Sequence, residues 1–200
     1  MIVGTGRYVG ISNNLDTFNT ADGNDTIIGN GLEGDGITNY YHLDTGDGND
    51  IITGISTEGS YGIANSSRDG LFTNIIDTGN GDDIITGIGS IGIYNVGIIN
   101  TGNGQDSIIT NGGFVGNGNV LLGNGEDYLK GFGSGKFSGE NGNDTLELTS
   151  GTYTVGRWYT AVTYTKGDQL MITSEFEKLI AGSTTYDFTS LSKGQTITVA

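Results

Sequence analysis

"DTGNGDDIITG" occupies residues 77–87, and "DTGDGNDIITG" at 44–54 is nearly a copy of it. Each reads as a tight Gly-Asx-Gly-x-Asp turn feeding a short run of isoleucine. Aligning on the last acid of the turn brings out six nonapeptides. They are TADGNDTII (20–28), TGDGNDIIT (45–53), TGNGDDIIT (78–86), TGNGQDSII (101–109), LGNGEDYLK (122–130) and GENGNDTLE (139–147). With positions numbered 1 to 9, position 4 is always glycine and position 3 always Asp or Asn. Position 8 is always a large aliphatic: Ile27, Ile52, Ile85, Ile108, Leu129 or Leu146. Position 6 is aspartate throughout: Asp25, Asp50, Asp83, Asp106, Asp127 and Asp144.

These aspartates lie 25, 33, 23, 21 and 17 residues apart, and the gaps hold two weaker repeats. One is "GISN" at 10, "GITN" at 36, "GIAN" at 62 and "GIYN" at 92; the other is an apolar residue ahead of most turns, as at Phe18, Leu43, Ile76 and Ile99. Each unit therefore reads as three short apolar strands separated by Gly/Asn/Asp/Ser turns. Strands so short are not stable alone. Wound so that equivalent strands stack, they bury their isoleucines in columns. The predicted fold is all-β, a right-handed parallel β-helix (solenoid) of about six coils over residues 1–148, with glycine and asparagine at the positive-φ corners. An antiparallel sandwich or barrel also accounts for short strands, but not for the same residue types recurring in phase.

Residues 149–200 break the pattern and are expected to form a C-terminal β cap. They hold the only tryptophan, Trp158, and "YTAVTYTKGDQLMITS" reads as a hairpin with a Lys-Gly-Asp turn. At the other end, "IVGTG" at 2–6 resembles the strand "IITGI" with no acidic turn before it. The expectation is a piece of a longer parent chain that enters in mid-coil.

Glycine accounts for 38 of 200 residues without a Gly-X-Y period or any proline, which excludes collagen. Without cysteine there are no disulfides and no thiolate chemistry. Net charge is −15, and Arg68 is the only basic residue between positions 9 and 129. Such a surface repels nucleic-acid phosphate and anionic membranes and attracts small hard cations. No apolar run is long enough for a membrane span, and "MIVGTGRYVG" lacks the features of a cleaved signal peptide.

Stacked coils place equivalent residues ~4.8 Å apart. Two unit charges at that distance repel by about 1 kcal/mol in water and about 3.5 kcal/mol at an effective dielectric near 20. A column of position-6 aspartates therefore has to splay into solvent or take up cations. Carboxylates and carbonyls without nitrogen or sulfur donors suit calcium, Ca2+. The same residues also make good turns, with Asp capping backbone N–H groups, so both readings stand at this point.

The six copies resemble the hemolysin-type (RTX, repeats-in-toxin) calcium-binding nonapeptide G-G-x-G-x-D-x-U-x. The resemblance implies side-chain ligands at Asp25, Asp50, Asp83, Asp106, Asp127 and Asp144. It implies secondary ligands at position 3: Asp22, Asp47, Asn80, Asn103, Asn124 and Asn141. It further implies a non-enzymatic calcium-binding module of a secreted bacterial protein, exported by an uncleaved C-terminal signal; "ITSEFEKLIAG" resembles segments that follow such repeats. Here the copies occur once per unit, not in tandem, and Ala21 and Glu140 replace the glycine of position 2.

Other chemistry has less to stand on. His42 is the only histidine and is read as a surface residue, so neither a zinc site nor a Ser/His/Asp arrangement can be assembled. Asp82 and Asp83 are adjacent and point to opposite faces if extended. Two alternatives remain. One is an adhesin or ice-binding surface built on threonine ladders such as Thr20, Thr45, Thr78 and Thr101. The other is a non-catalytic module of a carbohydrate-active enzyme.

Overall fold

The computed structural model describes residues 1–14, 16–67 and 73–200; Arg68 falls outside them. Among the described residues the chain is all-β, with one three-residue 3-10 turn at Phe188–Ser190. Each of the first five units contributes one strand to each of three sheets; from Tyr128 onward the second sheet gains no further strand. The first sheet stacks Ile2–Gly6, Thr26–Gly31, Ile51–Ser56, Ile84–Ile88, Ser107–Asn111, Tyr128–Lys130, Thr145–Leu148 and Lys178–Ala181, all in parallel. The second stacks Ile11–Asn13, Ile37–Asn39, Tyr61–Asn65, Ile91–Asn95 and Phe114–Val115, also in parallel. The third runs in parallel from Thr17–Asn19 through His42–Asp44, Ile75–Asp77, Ile98–Asn100 and Asn119–Leu121 to Gly135–Ser138. The first five units visit the sheets in the same order, which is consistent with a β-helix.

The isoleucines explain the register. Ile27, Ile52, Ile85, Ile108, Leu129, Leu146 and Leu179 face one another across consecutive strands, and all are fully buried. Full burial of each such side chain stabilises by about 1.5–3 kcal/mol relative to exposure. A one-residue slip would turn the whole column outward. Ile37, Ile63, Ile93 and Phe114 form the matching column of the second sheet, and Leu43, Ile76, Ile99, Val120 and Phe137 that of the third.

Asparagine supplies a second internal column. Asn13, Asn39, Asn65 and Asn95, the last residues of the four "GIxN" motifs, are all buried. Each Nδ2 donates to the next Oδ1, at 2.8, 2.9 and 2.9 Å. The amides also donate to carbonyls across the corner, as Asn65 does to Ile98 at 2.9 Å. A buried amide is tolerable because its donors are spent in this way.

The C-terminal residues extend two of these sheets. Ala161–Lys166 and Gln169–Ser174 form the antiparallel hairpin read at the Lys-Gly-Asp turn, and Gln169–Ser174 lies parallel to Gly135–Ser138. Gly151–Trp158 and Thr196–Val199 continue that sheet in antiparallel fashion, while Thr184–Asp187 closes the first sheet antiparallel to Lys178–Ala181. Tyr153 and Tyr164 fill the interior beneath them.

Candidate metal centre

The acidic turns link the third sheet to the first. Position 2 of the turn takes a left-handed backbone. Gly46, Gly79, Gly102 and Gly123 lie at φ of 84, 86, 91 and 102°, and Ala21 and Glu140 adopt φ of 65 and 68° where glycine is missing. Asparagine occupies none of the described positive-φ corners, contrary to the sequence reading. Stacking is as close as glycine allows: a Cβ on Gly102 would lie 1.9 Å from the Gly79 carbonyl oxygen.

The position-6 aspartates form one column, and it faces inward. Asp50, Asp83, Asp106, Asp127 and Asp144 are at most 2 % exposed, whereas Asp25, on the outermost turn, is half-buried. In each case one Oδ1 accepts the main-chain N–H of the preceding aspartate. Asp25 donates to Asp50 at 2.7 Å, Asp50 to Asp83 at 2.8 Å and Asp83 to Asp106 at 2.9 Å. Asp106 donates to Asp127 at 2.8 Å and Asp127 to Asp144 at 2.9 Å. The capping role weighed for these acids is thus fulfilled, across turns instead of within one.

The second oxygen of each carboxyl is a different matter. Oδ2 of Asp50, Asp83, Asp106, Asp127 and Asp144 is buried and has no hydrogen-bond partner. Loss of water raises the proton affinity of these carboxyls above the ordinary 3.8. Burial pushes Asp83 up to about 6, against the opposing pull of the Thr78 hydroxyl and the Asp50 N–H. Burial, followed by the carboxylates of Asp127 and Asp83, takes Asp106 to about 7. Asp127 rises to about 6 through burial alone, and Asp144 to about 7 through burial and then the charges of Asp127, Glu177 and Glu126.

The column has a seventh member that the nonapeptide search missed. Leu146 pairs with Leu179 in register, which puts Glu177 at the place of the position-6 acid. Glu177 Oε2 accepts the Asp144 N–H at 2.7 Å. The signal lay in "EKLIAG", an acid two residues before an aliphatic, as in "DIITG"; the absent glycines hid it.

Position 3 lies apart from this column. Asp22, Asp47, Asn80, Asn103, Asn124 and Asn141 are exposed. They form an outer ladder in which Asn80 donates to Asp47 at 2.6 Å, Asn103 to Asn80 at 2.5 Å, Asn124 to Asn103 at 2.5 Å and Asn141 to Asn124 at 2.9 Å. The inner and outer sets share no hydrogen bond with each other. Among the described residues, no group of three or more His, Cys, Asp or Glu side chains is placed to hold one metal ion.

The threonines of position 1 are buried as well: Thr45, Thr78 and Thr101 are at most 1 % exposed. Their hydroxyls donate to the carbonyl of the next turn, at 3.4, 3.1 and 2.7 Å. They face the neighbouring turn and not solvent, so the water-ordering ladder read from these residues does not form. His42 is half-buried with its Nε2 enclosed, in contrast to the surface placement expected. Asp82 and Asp83 diverge as expected, one exposed and one buried. No helix among the described residues is long and apolar enough to cross a membrane.

No family model matches this chain, and no curated protein matches it.

Proposed function

We propose that this chain is a non-enzymatic, calcium-binding module, a right-handed parallel β-helix with a C-terminal β cap, from a secreted bacterial protein. Its role is structural, and its inner aspartate column is the cation site. One observation carries the reading: five carboxylate oxygens, in register, are enclosed without a hydrogen-bond donor. A charged oxygen shut away from water is costly unless a proton or a cation meets it. The column's own side chains offer carboxylate oxygen and neither thiolate nor imidazole, which favours a hard divalent ion over zinc or copper. Asp50, Asp83, Asp106, Asp127 and Asp144 would each face an ion placed along the column, no more than two neighbouring carboxylates sharing one. Calcium, when bound, supplies positive charge to the column in place of protons. The column gives one carboxylate per turn, so main-chain carbonyls or water complete the ligand set. Thr, Asn and Asp side chains of the body are otherwise spent on turn-to-turn ladders, which suits a structural part better than a reacting one.

Titration calorimetry of calcium into metal-stripped protein at pH 8 tests the proposal. Saturable binding is expected, weakened in the double variant Asp83→Asn, Asp106→Asn. Absence of binding heat, together with a urea midpoint indifferent to chelator, would sink it.

A further inference from the structure

Four of the acidic turns hold Asn-Gly at positions 3 and 4: Asn80–Gly81, Asn103–Gly104, Asn124–Gly125 and Asn141–Gly142. The pair is chemically fragile. Glycine has no side chain to shield its main-chain nitrogen, which can attack the amide carbon of the asparagine before it. Asparagine counts among the heat-labile residues for such reasons. A fold blocks the attack by tying that N–H and that amide into hydrogen bonds.

Asn80 and Asn103 are tied in this way. The Gly81 N–H donates to the Asn103 carbonyl at 2.7 Å and the Gly104 N–H to the Asn124 carbonyl at 2.9 Å. Both amides are interior rungs of the outer ladder, donating through Nδ2 to one neighbour and accepting through Oδ1 from the next. Asn141 is the last rung. Its Nδ2 donates to Asn124 at 2.9 Å, and its Oδ1 accepts from no further rung. The Gly142 N–H is untied as well. Asn141 and Asn143 both donate back to the preceding turn, to the Gly123 and Gly125 carbonyls at 2.8 and 3.3 Å. The N–H between them therefore points forward. Because Leu146 pairs with Leu179, the register offers it the Ser174 carbonyl, but that oxygen takes the Gly139 N–H instead, at 3.1 Å. The turn that follows, "TSEFEKL" at 173–179, has none of the glycines that let earlier turns nest. Asn141 and Gly142 are both exposed.

We infer that Asn141 is a site of spontaneous covalent modification, at which the chain converts its own amide to an acid. The Gly142 nitrogen forms a bond to Asn141 Cγ, the Cγ–Nδ2 bond breaks, and Nδ2 leaves as ammonia with the proton given up by Gly142. Water then opens the resulting succinimide ring at either carbonyl, to give aspartate or isoaspartate. Nothing is oxidised or reduced. The aspartate product sets a carboxylate at position 3, as Asp22 and Asp47 do in the first two turns. The isoaspartate product adds a methylene to the main chain three residues before Asp144, whose Oδ1 holds the Asp127 N–H at 2.9 Å. The modification thus bears on the last aspartates of the inner column and acts as a slow, one-way clock. The inference does not rest on calcium.

Incubation of the folded chain in warm, mildly alkaline buffer tests this, read by peptide mapping with tandem mass spectrometry and by isoaspartyl methyltransferase labelling. Asn141 is expected to convert about tenfold or more faster than Asn80 and Asn103. In urea, with the fold's protection gone, the three should convert at similar rates. In Asn141→Gln the labelled peptide that spans residue 141 should vanish, which separates Asn141 from the nearby Asn143. Equal rates for the three asparagines in the folded chain would overturn the inference. So would an intact Asn141, the same rate difference persisting in urea, or survival of the labelled peptide in the variant.

Discussion

Replacing Asp106 in two ways separates its acceptor from its charge. Its Oδ1 holds the buried Asp83 N–H at 2.9 Å, and its Oδ2 is enclosed without a partner. Asp106→Ala removes both oxygens and leaves that N–H orphaned, which costs about 1–3 kcal/mol. Asp106→Asn keeps an oxygen for the N–H and removes one charge from between Asp83 and Asp127. Each neighbour lies one strand spacing away, so relief runs from about 1 to about 3.5 kcal/mol per neighbour at full ionisation, depending on the local dielectric. At pH 8 with chelator, the alanine variant is expected to lose about 1–3 kcal/mol, and the asparagine variant to match or exceed the parent. Urea unfolding followed by circular dichroism, with equal m-values checked, reads the difference. An asparagine variant as damaged as the alanine variant would refute the reasoning, because it would mean that the charge itself stabilises the column without a cation.

Stability should also depend on pH. Asp83, Asp106, Asp127 and Asp144 bind protons more tightly when folded, near 6–7, than at the ordinary 3.8. Their stabilising contribution is therefore full below about pH 4 and lost as pH rises through 7. Melting temperatures in chelator should fall over that window, and calcium should flatten the fall; a rise over the same window would contradict the assignment. Asn65→Ala removes three buried hydrogen bonds, to Asn39, Asn95 and the Ile98 carbonyl, while Asn39 keeps its bond to Ile75 and Asn95 its bond from Gly97; the loss is about 0.5–1.5 kcal/mol for each bond, read as a lower urea midpoint. Gly102→Ala places a methyl 1.9 Å from the Gly79 carbonyl at φ of 91°, whereas Gly167→Ala at φ of 59° meets nothing. The first should prevent native stacking, and the second should cost only about 1 kcal/mol, a contrast that thermal melts resolve.

The columns were legible because stacking repeats a residue type wherever it repeats an environment. Ile27, Ile52, Ile85, Ile108, Leu129 and Leu146 announced one sheet by their spacing from the acids, and the structure adds Leu179 to them. The "GIxN" motifs announced a second sheet, and the hairpin at Lys166 and Asp168 was readable from alternation and its glycine. What the sequence did not disclose is which way a polar side chain turns. Aspartate at position 6 is as compatible with a solvent-facing corner as with the enclosed ladder observed, since the deciding factor is an N–H on the turn before it. Thr78 and Asn65 posed the same ambiguity: each repeats in phase, and each is buried because a neighbouring turn offers it a partner. Glu177 was missed for another reason. Its turn keeps the acid and the aliphatic but none of the glycines, and only the strand register reveals its place.

Anomalous diffraction from crystals grown in calcium addresses the cation column most directly. Peaks beside the enclosed Oδ2 atoms of Asp50, Asp83, Asp106, Asp127 and Asp144 are the expected result. A clean map along that column, with strong peaks elsewhere or none, would contradict it.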